Sequence, residues 1–333
     1  MILVTGGAGY IGSHCVLALL EKGFDVVVFD NLSTGHIETI KTLSKYGNLE
    51  FLQGDLQNKL DVNKLFNTFK IDAVIHFAAF SQVGESVVDP QKYYLNNVCG
   101  TLNLLEGMLK NGIKKIVFSS TAATYGEPDY IPIDENHPQN PINPYGQSKL
   151  IIEKIMDDYS KAYDLRSVRL RYFNVAGADY NARIGEWHEP ETHLIPNILK
   201  STFGNGKTFK MFGNDYPTKD GTCVRDYINR EDLAKAHLLA LEYLNLGGKT
   251  NYFNLGTKEG NTVKEVFDAC EKVCQRSIAV DIEPRREGDP ASLVADNAKA
   301  REVLKWNPEK TLSESIQNAY KWERVLQSQE VKC

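Results

Sequence analysis

Short apolar runs alternate with longer amphipathic stretches through the first half of the chain. Ile2 to Val4 is apolar and leads into glycines. The spacing of Ile11, Val16, Leu19 and Leu20 predicts a helix, Gly23 breaks it, and Val26 to Phe29 reads as a fully apolar strand. The same reading predicts strands at 49–52, 73–77, 116–118 and 167–170, with helical patterns around 58–69, 90–110 and 146–163 between them. Strands and helices alternating at this length predict an α/β fold, a Rossmann-type doubly wound parallel sheet. Ligands of such a sheet bind beyond the carboxyl ends of its strands, where the small and polar clusters of this sequence fall. Further on, 224–228 and 252–255 read as strands and 232–244 as a helix, with Ala234, His237, Leu238 and Leu241 at helical spacing; all three are expected to return to the sheet. Between them, 177–221 is rich in Pro, Gly, Asn and polar residues and is expected to build substrate loops.

The first strand–helix–strand unit points to a dinucleotide. Gly7, Gly9 and Gly12 fit GxGxxG, and Gly6, Gly9 and Gly12 fit the related GxxGxxG spacing. One glycine permits a tight turn, another lets the backbone approach a pyrophosphate, and the third lets helix and strand pack closely. The helix N-terminus offers free N–H groups to phosphates. Asp30, at the end of the second strand, suits a ribose diol and repels a 2′-phosphate, so NAD is expected rather than NADP. The ordered set of strand, glycines, helix, strand and acid is far more specific than the glycines alone. Asp55, after the third strand, is placed to meet an adenine amino group.

Ser119 to Gly126 read SSTAATYG directly after a strand, and Pro144 to Lys149 read PYGQSK at the start of a helical pattern. Tyr145 and Lys149 therefore share one helix face. A tyrosine titrates near pH 10 in its ordinary state, and bringing it to about 7 takes roughly 4 kcal/mol from a nearby ammonium and a cationic nicotinamide ring. The phenolate can then take a proton from a sugar hydroxyl as hydride leaves for NAD, with Thr121 hydrogen-bonding the same oxygen. YxxxK alone is common on surface helices; its position after a nucleotide-binding unit and a strand ending in SST makes it a catalytic candidate.

Composition narrows the partners. The 333 residues carry a net charge of −5, with 42% hydrophobic and 24% charged residues, as in an ordinary soluble enzyme and without the basic field that nucleic acid requires. Six cysteines show no disulfide framework. Cys270 and Cys274 share a helix face, but no second pair completes a zinc site, and the seven histidines show no HExxH spacing, so no metal is expected. The opening MILVTGG runs straight into a strand, with no charged leader and no membrane-length apolar run, so a cytoplasmic location is expected.

The segments VTGGAGYIGSH, FDNLSTG, SSTAATYG, NPYGQSK, LRYFNVAGA, FGNDYPTKDGTCVRDYI and PRREGDPA span nearly the whole chain. In them the chain resembles the extended short-chain dehydrogenase/reductase family, and within it the nucleotide-sugar 4-epimerases. The resemblance implies interconversion of UDP-glucose and UDP-galactose by transient oxidation at sugar carbon 4, rotation of the keto intermediate and re-reduction on its other face. Related dehydratases carry Asp-Glu after the threonine, whereas Ala122 and Ala123 supply neither acid nor base. It places around NAD Gly6, Gly7, Gly9, Tyr10, Ile11, Gly12, Asp30, Asn31, Leu32, Ser33, Thr34, Gly35, Asp55, Leu56, Phe77, Ala78, Ala79, Phe80, Ser81, Asn96, Ser119, Tyr145, Lys149 and Phe173. Thr121 and Tyr145 would touch the reacting sugar; Asn174, His193, Leu194, Lys210, Phe212, Arg225, Tyr227, Val263, Arg286 and Asp289 would line the UDP end. Arg225 and Arg286 suit a diphosphate, Phe212 a uracil face and Asp289 a ribose hydroxyl. Ser81 stands where some members have lysine, and His193 where many have asparagine. Leu293 stands where tyrosine restricts some members to plain hexoses and a small residue admits N-acetylhexosamines, so UDP-N-acetylglucosamine stays open as a second substrate. The implied division is an NAD-binding domain at 1–175, joined by 222–255, and a UDP-sugar domain at 176–221 and 256–333. The family's usual homodimer pairs helices at 90–110 and 146–163.

Overall fold

A computed structural model describes residues 1–203, 208–286 and 289–330. In chain order the strands are β1 (Ile2–Thr5), β2 (Val26–Asp30), β3 (Leu49–Gln53), β4 (Ala73–His76), β5 (Lys115–Thr121) and β6 (Arg166–Tyr172). There follow β7 (Asn174–Ala176), β8 (Phe209–Phe212), β9 (Val224–Asn229), β10 (Asn251–Leu255), β11 (Gly260–Thr262), β12 (Val280–Glu283) and β13 (Ser292–Leu293).

A parallel sheet runs β10-β6-β5-β4-β1-β2-β3. Its strands are apolar on both faces because both faces are covered. Ile2, Val4, Val26, Val28, Ile75 and Val117 point to one core with the helices Tyr10–Glu21 and Arg230–Asn245. Leu3, Val27, Phe29, Val74, Ile116 and Phe118 point to the other, under the helices Lys59–Thr68, Gly100–Lys110 and Pro144–Tyr163. The strand order reverses between β1 and β4, which opens a crevice at the carboxyl ends of β1, β4 and β5.

Two expectations need correction. The strand at 224–228 forms but does not return to the large sheet: β9 pairs with β11, β13 and β7 in a small sheet, while the helix Arg230–Asn245 and β10 do join the large one. The cause is polar. Asp226 is fully buried in β9, and its carboxylate accepts from the backbone N–H groups of Thr257 (2.7 Å), Lys258 (3.1 Å) and Ala295 (3.2 Å). The loops that supply those donors hold the strand in its own layer.

The second correction concerns 90–110, which is not one α-helix. The helix Pro90–Tyr93 passes into π-helical turns at Tyr94–Cys99 before Gly100–Lys110 resumes. The widened turns place Asn97 inside. Its Oδ1 accepts from Phe80 N–H (2.9 Å), and its Nδ2 donates to Phe80 C=O (3.0 Å) and Ser148 Oγ (3.1 Å), pinning the β4 exit loop to the helix of Tyr145.

Candidate active site

The crevice is a cleft whose floor is the glycine turn. Gly6 has φ +73°, and a Cβ there would lie 2.6 Å from Ala78 N. A Cβ on Gly12 would lie 2.1 Å from Gly6 O, so the helix Tyr10–Glu21 packs on the turn only because this residue is glycine. Gly7 is closed by Val28 in the same way. Gly9 differs: a Cβ there meets only Gly6 O, at 3.5 Å, and faces the open cleft. Gly9 is also the N-cap of that helix, with no side-chain cap and no acid in the first turn, so the helix N–H groups stay available to an anion.

At the neighbouring strand end Asp30 is buried. Its carboxylate accepts from Ala8 N–H (3.0 Å) and Leu32 N–H (2.8 Å). Burial raises its pKa and the two backbone donors oppose the rise. Leu32 is held at φ +60°, a conformation uncommon for a side-chain-bearing residue. Asp55 accepts from Asn31 Nδ2 (3.0 Å) and from Gln57 N–H (2.7 Å) across the same end of the cleft. Tyr10, Ile11, Ser33, Thr34, Leu56, Phe77 to Ser81, Asn96 and Phe173 also line the cleft, as the sequence predicted. Gly35 lies against Ala8, beneath the lining. A Cβ-free floor, an uncapped helix N-terminus and a buried acid at the ribose position together fit a dinucleotide such as NAD.

Ser119, Thr121, Tyr145 and Lys149 meet at the centre of the cleft. Asn143 caps the helix Pro144–Tyr163, with Pro144 in its first turn, and this fixes where Tyr145 emerges. Tyr145 is hydrogen-bonded to Thr121. Lys149 Nζ donates to Ser119 C=O at 2.8 Å, and Ser119 Oγ hydrogen-bonds Tyr172 OH. A Cβ on Gly146 would lie 2.4 Å from the backbone Ala123 O, so the helix of Tyr145 presses directly on the turn after Thr121 only because position 146 is glycine.

Burial dominates the electrostatics of the pair. Burial raises the Tyr145 pKa, and its bond to Thr121 opposes the rise. Burial pulls Lys149 down to about 7, against the pull of Glu153 one turn along. Lys149 therefore carries only part of its charge near neutrality in the protein alone.

The expected UDP-end residues divide. Asn174, His193, Leu194 and Tyr227 line the cleft. Arg225, Phe212, Lys210, Arg286 and Asp289 lie on or beside the two small sheets. Arg225 donates to Pro290 C=O (2.8 Å) and pairs with Asp289 (3.4 Å), Arg286 lies over the Phe212 ring (4.1 Å), and Lys210 pairs with Glu283 (2.8 Å). Val263 packs in the same apolar cluster as Tyr227 and Leu194, which joins the two groups. Leu293 does not line the cleft itself but packs against the cluster of Ala122, Tyr125, Ile133, Phe173 and Ala295, of which Phe173 does line it. Sequence reasoning did not single out Tyr172, Glu186 and His188, which also line the cleft. The available signal was the dense Glu-x-His, Glu-x-His run from Glu186 to His193.

Known proteins resemble the chain over its whole length. A family model described as GDP-mannose 4,6 dehydratase matches residues 3–319. A UDP-glucose 4-epimerase from Rhizobium meliloti (strain 1021) is 53% identical over 321 residues, 96% of each chain. The chain belongs to the UDP-glucose 4-epimerase family. A solved structure of the family from Brucella ovis, in complex with NAD, matches with a TM-score of 0.91 at 45% identity over 96% of this chain and 97% of that one. The UDP-Glc/GlcNAc 4-epimerase of Campylobacter jejuni matches with a TM-score of 0.85 at 43% identity over 97% and 99%. The family fold is thus the doubly wound sheet described above.

Proposed function

We propose that this protein is an isomerase that interconverts UDP-glucose and UDP-galactose with NAD as a recycled cofactor. The observation that carries the reading is the meeting of Thr121, Tyr145 and Lys149 beside a dinucleotide-shaped cleft, with Ala122 and Ala123 where eliminating relatives carry acids. The epimerase relatives at about half identity support it.

Bound NAD supplies a reversible hydride acceptor. Thr121 and Tyr145 hold the sugar 4-hydroxyl, and Tyr145 takes its proton as carbon 4 is oxidised. Protonated Lys149 favours the phenolate, and its bond to Ser119 C=O fixes the ammonium in place. The 4-keto sugar turns over within the cleft. Tyr145 then returns the proton as carbon 4 is reduced on its other face, so no net redox change occurs. Arg225, Arg286, Asp289, Phe212 and Lys210 hold the UDP moiety. The NAD-binding part is 1–175 with the helix and strand that return to it, and the UDP-sugar part is built from 176–221 and 256–333.

The Campylobacter relative acts on both UDP-Glc and UDP-GlcNAc, and the intermediate size of Leu293 keeps that second activity as the alternative. Among the described residues no helix is long and apolar enough to cross a membrane. We place the protein in the cytoplasm, in galactose metabolism, as a homodimer paired through the helices at 90–110 and 146–163.

The test is incubation of purified protein, without added cofactor, with UDP-galactose and separately with UDP-N-acetylgalactosamine, followed by chromatography. Conversion of UDP-galactose is expected. Conversion of neither, with NAD bound, would overturn the reading.

A further inference from the structure

The loop that leads to the helix Leu194–Ser201 carries Glu186, His188, Glu191 and His193. One ligand atom from each lies within 4.8 Å of all the others. His188 Nδ1 is 3.3 Å from Glu186 Oε1 and 3.8 Å from Glu191 Oε1. His193 Nδ1 is 3.6 Å from Glu191 Oε1 and touches Glu186 Oε1. Oxygen and nitrogen atoms bound at about 2.0–2.2 Å to a tetrahedral zinc ion stand roughly 3.3–3.6 Å apart. Three of these pairs, at 3.3, 3.6 and 3.8 Å, are already close to that spacing.

A second observation points to a cation. The Glu191 side chain is 4% exposed, and its Oε2 has no hydrogen-bond partner; nor has the buried His188 Nδ1. Glu191 Oε1 is already committed, accepting from the N–H groups of Thr192 (2.8 Å) and His193 (2.9 Å). A buried carboxylate oxygen without a hydrogen-bond partner is costly, and a cation bound by that carboxylate removes the cost. The loop is also held from outside. Trp187 stacks on His36 with centroids 3.7 Å apart, and Glu186 C=O accepts from Trp322 Nε1 (2.8 Å).

We propose that Glu186, His188, Glu191 and His193 form a binding site for a divalent transition-metal ion, zinc in the first instance. The set of two imidazoles and two carboxylates suits it. The sequence argument against a metal rested on the absence of HExxH spacing, and this loop reaches the same donors by another route. The metal ties the loop to the first turn of the helix whose Leu194, Ile195 and Pro196 line the cleft. Ligation through Nδ1 leaves the proton on Nε2, so His193, half exposed at the cleft, is held as an N–H donor.

The test is elemental analysis of the purified holoenzyme after exhaustive dialysis in metal-free buffer, with Glu191→Gln and His188→Ala alongside. Stoichiometric zinc in the wild type and at least a tenfold lower content in both variants are expected. Cobalt(II) loaded into stripped wild-type protein is expected to give the intense visible bands of a tetrahedral site. Glu191→Gln keeps the shape of the side chain and is expected to fold, so the comparison survives a failure of His188→Ala. Wild-type protein that retains no zinc after loading and shows octahedral cobalt bands overturns the proposal. Equal metal in wild type and Glu191→Gln also overturns it, marking an adventitious ion only.

Discussion

Glu153 links the stability of the core to the chemistry of the cleft. It lies one turn beyond Lys149 on the same helix. Its carboxylate accepts from Arg171 Nε (3.0 Å) and Nη2 (2.5 Å) and from Ser120 Oγ (2.5 Å). Both members of the ion pair are 3% exposed. Glu153→Gln removes the charge and nearly keeps the shape. Arg171 then stays buried, with Tyr125 OH (3.0 Å) as a neutral partner. Breaking a buried pair from one side costs about 3–5 kcal/mol, and the amide's remaining hydrogen bonds put this case near the lower figure, about 3 kcal/mol. At roughly 1.4 °C per kcal/mol for a chain of 333 residues, the melting temperature is expected to fall by about 4 °C.

The chemical consequence has a sign. Glu153 raises the Lys149 pKa against the burial that pulls it to about 7. Removing Glu153 lowers it further, so protonated Lys149, which supports the Tyr145 phenolate, is lost at a lower pH. The alkaline limb of the kcat profile is expected to move down relative to wild type, read from initial rates of UDP-galactose conversion across the pH range. The pair Glu153→Leu with Arg171→Met is expected to recover most of the lost stability but not the wild-type profile. A Glu153→Gln protein that melts within about 1 °C of wild type and keeps its profile would refute both the energetic and the electrostatic reasoning.

Tyr145→Phe is expected to lower kcat by about 10²–10⁴-fold, the usual worth of a positioned acid–base group, with melting temperature and bound NAD unchanged; retained turnover would end its assignment as base. Gly12→Ala puts a Cβ 2.1 Å from Gly6 O, between two backbones that cannot give, and is expected to cost NAD binding before it costs the sheet, as measured by nucleotide released on denaturation. His76, bridging Thr5 (2.6 Å) and Thr101 (2.9 Å), is held by burial at about 3, and buried His237 at about 4. The unfolded chain takes up these protons below about pH 6.5 and the folded chain does not, so each group costs stability by about 1.4 kcal/mol per unit as pH falls from 6.5 toward its folded value. Urea midpoints at pH 6.5 and 5 are expected to show the loss, with a shallower slope in His76→Asn. Leu293→Tyr, against Ala122 and Phe173, is expected to lower turnover of N-acetylhexosamine substrates while sparing hexoses, read as the ratio of the two rates.

The large sheet was legible because a strand covered on both faces carries an unbroken apolar run, as Ile2–Val4, Val26–Phe29, Ala73–Ile75 and Ile116–Phe118 do. The glycine turn, Asp30 and the Tyr145–Lys149 pair were legible because each is a local device, confined to one turn, one strand end or one helix face. What failed was non-local. The strand at 224–228 looks like any other strand, but its layer is chosen by the three backbone donors that reach Asp226 from 257–258 and 295. The π-helical turns at Tyr94–Cys99 follow from bonds that Asn97 makes to Phe80 and Ser148, far from it in sequence.

The sequence by itself determined the fold class and the local devices of the cleft, the glycine turn, Asp30 and the shared helix face of Tyr145 and Lys149, since periodicity and short spacing set these before the chain closes. Only the tertiary structure decided how deeply the pair is buried. That burial raises Tyr145 and lowers Lys149, because desolvation depends on what packs around a group. It also decided that Glu186, His188, Glu191 and His193 converge on one point, and that Glu191 Oε2 is left there, buried, without a hydrogen-bond partner. Spacing counts residues along the chain, whereas ligation and solvation depend on distances that exist only once the loop has folded against the cleft.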